Sequence, residues 1–145
     1  MDERREKGVT VYTIMPEYAG AYGWIRRNHQ GPYVTQLGPN SACSGGWGGD
    51  HAISEDLHRA FRSWQLKFEL GVTRWESPGL GFDWQSFHSL GLELTRQLRA
   101  ELPPEVRLLY RKPGEDPDQV ITQAWEITED GQAVQVNLLI RRAGE

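Results

Sequence analysis

Cysteine is almost missing from this chain. Cys43 stands alone, so no internal disulfide can form, and the charged start MDERREK lacks the apolar centre of a secretory signal; both point to a reducing cytoplasm. Long hydrophobic runs are missing too. Glycine or polar residues interrupt every apolar group well short of the roughly 20 residues that span a bilayer, so no membrane partner is expected. There is no surplus of positive charge: 16 Lys and Arg stand against 20 Asp and Glu, a formal net charge of -4. That balance gives no general attraction to nucleic acid and a weak one toward a partner with a basic surface.

What the chain does contain is material for a core. Hydrophobic residues make up 38% of its 145 residues, and six of them are tryptophan, so a folded, aromatic-rich domain is expected. We read residues 1–8 as a flexible leader and 9–145 as a single domain.

VTVYTIM (9–15) is β-branched and reads as a strand that stops near Pro16. AYGWIRR and PYVTQL flank NHQG and suggest a hairpin, after which GPNSACSGGWGGDHA has neither helical nor strand period and reads as a long loop. In SEDLHRAFRSWQLKF, Ser54 is a cap candidate, Glu55 and Asp56 suit the positive end of a helix dipole, and Leu57, Phe61, Trp64 and Phe68 form one stripe; Gly71 is the expected stop. DWQSFHSLGLELTRQLRAEL repeats the pattern with Asp83 as cap, Phe87, Leu90, Leu94, Leu98 and Leu102 as stripe, and Pro103–Pro104 as terminator. VRLLYR, VITQAWEI and QAVQVNLLI read as strands, the last two joined by TEDG with Asp130–Gly131 as a tight turn. The expected fold class is α+β: a mainly antiparallel or mixed sheet of about five strands with the two amphipathic helices packed on one face.

The stretch NSACSGGWGGDHAISED gathers Cys43, Trp47, Asp50 and His51. It lacks the Lys-Ser/Thr ending of a phosphate loop and the spacing of a dinucleotide fingerprint. Cys43 with a nearby histidine offers the atoms of a cysteine-dependent hydrolase or transferase, but adjacency in sequence supplies no thiolate–base geometry, and zinc needs about four converging ligands. The four histidines are scattered and define no acid–base pair. No catalytic residue, metal site or cofactor is therefore expected. Trp47 and Trp75 lie in turn-rich segments, where a large aromatic must pack locally or meet a partner. With Glu76 and the acids Glu115, Asp116 and Asp118 of the proline-containing loop KPGEDPDQ, they are the candidate partner-binding residues, the acids being expected at the surface.

FRSWQLKFE, then a D-W-x-x-F-x-x-x-G-x-x-L start to the second helix, then VRLLYR resembles small bacterial immunity-type proteins encoded beside polymorphic or contact-dependent toxins, over residues 54 to 111. The resemblance implies a small cytoplasmic α/β or α+β domain, without cofactor or catalysis, that occludes a cognate bacterial toxin. The cysteine–glycine loop lies outside it. A general interaction or small-ligand-binding domain is the further alternative.

Overall fold

The β-branched and aromatic residues of VTVYTI form β1 (Val9–Ile14), whose last four residues are all buried. A strand buried on both faces belongs at the centre of a sheet. In the computed structural model, which describes residues 9–16, 22–29, 34–36, 41–42, 47, 50–72 and 81–141, β1 occupies that centre. It pairs antiparallel with β2 (Gly23–His29), their connection closed by the Met15 N–H donating to the Tyr22 carbonyl (3.0 Å). On its other side it pairs parallel with β5 (Arg107–Tyr110). Antiparallel β6 (Gln123–Ile127) and β7 (Ala133–Asn137) complete five strands, and the two-residue β4 (Ser41–Ala42) extends the β2 edge. The order is β4-β2-β1-β5-β6-β7, a mixed sheet. Two short strands, β3 (Val34–Gln36) and β8 (Leu139–Arg141), pair parallel in a separate sheet.

The helices are α1 (Glu55–Val72) and α2 (Trp84–Glu101). Each begins as its sequence requires: Ser54 Oγ accepts from the Leu57 N–H (3.2 Å), and Asp83 Oδ1 accepts from the Ser86 N–H (3.1 Å). The stripes Leu57–Phe61–Trp64–Phe68 and Phe87–Leu94–Leu98 meet Tyr12, Ile14, Ile25, Leu108, Tyr110 and Ile127 in one core, so both helices cover the same face of the sheet. The opposite face carries a smaller cluster of Val11, Leu109, Ala124 and Leu138.

Four expectations are corrected. The NHQG hairpin does not pair its two arms: β2 runs through His29 and pairs with β1 and β4, while β3 pairs with β8. The buried strand β1 offers β2 more apolar surface than the three residues VTQ. Gly71 does not stop the first helix but lies inside it, where a Cβ would come within 2.5 Å of the Phe82 ring; its smallness lets the chain pass close to α1. The last strand is split at Leu138: its N–H still donates to the Thr122 carbonyl (2.6 Å) in register with the β6–β7 pairs, but β8 beyond it pairs with β3 instead of β6. Asp116, expected at the surface, is 3% exposed. Gly131 takes positive φ (83°) in the final hairpin, the conformation its turn demands. The leader 1–8 lies outside the described residues, and no described helix is long and apolar enough to cross a membrane.

Candidate functional site

Three of the four histidines are tied to tyrosine hydroxyls on the sheet. Tyr12, buried on β1, shares a hydrogen bond of 2.7 Å with His51 Nδ1, and its oxygen also accepts from the His51 N–H (3.2 Å). Tyr22, at the start of β2, shares one of 2.7 Å with His58 Nδ1 on α1. The Trp47 ring lies 4.7 Å from that of Tyr12 and 6.4 Å from that of Tyr22, and its Nε1–H donates to the His51 carbonyl (3.0 Å). Trp47 is thus turned onto its own domain, half-buried, and holds the approach to α1 against β1 and β2.

The third pair is the most closed. His88 on α2 reaches Tyr110 Oη through Nδ1 (2.6 Å) and Asp116 Oδ2 through Nε2 (2.6 Å). A carboxylate only accepts, so neutral His88 donates Nε2–H to Asp116 and takes the Tyr110 hydroxyl proton bond at Nδ1. Burial pushes the His88 pKa down, against the opposing pull of Asp116, and pushes that of Tyr110 well up. The order Tyr–His–Asp has the form of a proton relay, but the phenol is 1% exposed and pressed against Gly91, where a Cβ would fall 2.6 Å from Tyr110 Oη and from Trp64 Cζ2. No reacting group can reach that oxygen, and the cluster acts as a pin joining α2, β5 and the loop of Asp116. Asp116 Oδ1 also accepts from the Asp118 N–H (2.8 Å), which orders the same loop.

Among the described residues, an accessible feature lies elsewhere. Where the end of α1 crosses the start of α2, Leu70, Gly71, Phe82, Phe87 and Leu90 line an apolar groove of about 460 Å³, with Lys67, Asp83 and Ser86 supplying its polar groups. Leu70 is 71% exposed and Leu66, one turn earlier, 51%; both stand off the core stripe of the helix. Arg62, Ser63 and Glu69 border Leu66 on the same outer face. An exposed aliphatic pair next to an aromatic floor, edged by charges of both signs, has the anatomy of an interface core with a polar rim.

Of the residues singled out from the sequence, Glu115 is half-buried, Asp118 exposed and Asp116 internal. Cys43, Trp75 and Glu76 lie outside the described residues. Leu66 and Leu70 were not singled out, although two leucines four apart and off the stripe are a legible sign of a second apolar face. Among the described residues, no three His, Cys, Asp or Glu side chains converge as a metal site. Comparison of the chain with protein families, curated proteins and solved structures returned no match.

Proposed function

We propose that the chain is a non-enzymatic protein-binding domain of the immunity type, which neutralises a cognate bacterial toxin in the cytoplasm by covering its active surface. The observation that carries the binding part is the α1–α2 groove with Leu66 and Leu70 standing free beside it. Burying such a leucine is worth about 1.5–3 kcal/mol, so a partner that fits the groove gains its central contacts there. The histidines support the same reading, since His51, His58 and His88 spend a ring nitrogen on internal tyrosines and contribute to holding the scaffold rigid. The immunity part rests on the resemblance of residues 54 to 111. Asp118 and the half-buried Glu115, on a loop that the Asp116–His88 bond holds in place, suit a partner whose rim is basic. The mode needs no cofactor.

Co-purification with the polypeptide encoded beside it, followed by rescue of cells that produce that polypeptide, tests the assignment. The expected result is a stable complex and restored growth; a toxic neighbour that neither binds nor is relieved contradicts it. The groove volume also suits a small apolar ligand. Displacement of a groove-bound hydrophobic dye by the protein partner separates the two readings, since only an interface role makes the two compete.

A further inference from the structure

The central parallel strands part at their carboxyl ends. β1 continues to its neighbour β2 on one side of the sheet, and β5 to its neighbour β6 on the other. Strands whose connections leave in opposite directions have no crossover between their ends, which is why ligands of open sheets with parallel strands collect at such points. Arg111 is the first residue beyond β5, and its N–H donates to the carbonyl of Ile14, the last residue of β1 (3.0 Å). Its position is the divergence itself.

Its guanidinium differs from those of Arg99 and Arg107. Arg99 donates to the carbonyls of Val106, Leu102 and Pro103, and Arg107 grips both oxygens of Glu126 (2.7 and 3.1 Å). Among the described residues Arg111 has one acceptor, the Ile121 carbonyl at 2.5 Å from Nη2, and that bond lies on the exposed side. Its Nε is buried with no hydrogen-bond partner, and no carboxylate among the described residues pairs with it. Burial pulls its pKa down without opposition from any acid, yet a guanidinium stays charged. A partly desolvated cation with one carbonyl for company is unfavourable, and the two oxygens of a carboxylate match the Nη1–Nη2 end of its planar group, the Nε being enclosed. Beside it Val120 and Ile121 remain 48% and 50% exposed, apolar surface on the segment that supplies the one carbonyl.

We propose that Arg111 is the anchor of a carboxylate-binding site at the divergence of β1 and β5, with Val120 and Ile121 receiving an apolar group carried on the same ligand. The carboxylate belongs either to a free branched-chain acid or to the carboxyl terminus of a peptide. The site shares no residue with the α1–α2 groove, so it stands or falls separately from the toxin-binding reading.

The test follows the Arg111 Nε–Hε signal by ¹H–¹⁵N NMR, assigned by its loss in Arg111→Lys, during titration with isovalerate, N-acetyl-leucine and, as neutral control, isovaleramide. A saturable shift with the acids and none with the amide is expected; tighter isovalerate assigns a free acid, tighter N-acetyl-leucine a peptide terminus. Arg111→Gln should abolish the response, and Val120→Ser with Ile121→Ser should weaken it by about fivefold or more while the charge remains. If Arg111→Gln fails to fold, the serine pair and the amide control still decide. No saturable shift with either acid, or an equal response to the amide, overturns the site.

Discussion

Gly91 sits where Trp64, Tyr110 and α2 converge, with room for nothing larger. In an exposed helix alanine would gain about 1 kcal/mol over glycine, but here a Cβ meets two ring systems that are themselves buried, so overpacking of about 1–3 kcal/mol should win. Urea unfolding of Gly91→Ala should show a net loss of stability, while Gly114→Ala, with nothing within 4 Å, should be nearly neutral. His88 gives the chain an acid-sensitive point. Unfolded, it takes up a proton near its ordinary 6.5; folded, burial holds it neutral to lower pH. Its contribution is therefore complete above 6.5 and is lost as pH falls through the lowered folded value, and His58, also lowered by burial, acts in the same direction. Unfolding midpoints measured from pH 8 to 5 should fall across that window, and His88→Gln should make the fall shallower; an unchanged slope would remove His88 as the cause. None of these roles was legible in the sequence. His88 meets Tyr110 and Asp116 across 22 and 28 residues, and Asp116 read as a solvated loop acid because the residue that buries it is distant along the chain.

Both helices were legible because caps and stripes are local patterns, as is the Pro103–Pro104 terminator of α2. Ser54 shows how far such a pattern reaches: its Oγ caps α1, while its N–H and hydroxyl donate to the two carboxylate oxygens of Glu101 (2.6 and 2.7 Å) in the last turn of α2. The cap thus ties the start of one helix to the end of the other. Ser54→Ala should cost about 1 kcal/mol or more in chemical unfolding, and Glu101→Gln less, because Ser54 would still cap Leu57. A Ser54→Ala protein as stable as the parent would show that the exposed bonds contribute nothing. The strands were legible only as far as their composition. β1, β5 and the β6–β7 hairpin carry their own signals, but the pairing of β2 with β1, and of β3 with β8, is a choice among partners that alternation cannot make.

Across the whole molecule, the α+β class with two helices on one face of a mixed sheet followed from the order of the elements. The surface that the fold leaves open did not, because it is defined by what the core stripe omits. Leu66 and Leu70 add little to a helix already packed through Leu57, Phe61, Trp64 and Phe68, so replacing them should change stability by no more than about 0.5 kcal/mol each. That separation of folding from surface makes the functional claim measurable. Calorimetric titration of the proposed partner, the polypeptide encoded beside this chain, into the parent protein and into Leu66→Asp/Leu70→Asp, with urea unfolding of both as a fold control, tests it most directly. The expected result is an affinity lower by about tenfold to a hundredfold, roughly 1.4–2.8 kcal/mol, at nearly unchanged stability. Equal affinity of the two proteins would contradict binding through the α1–α2 face.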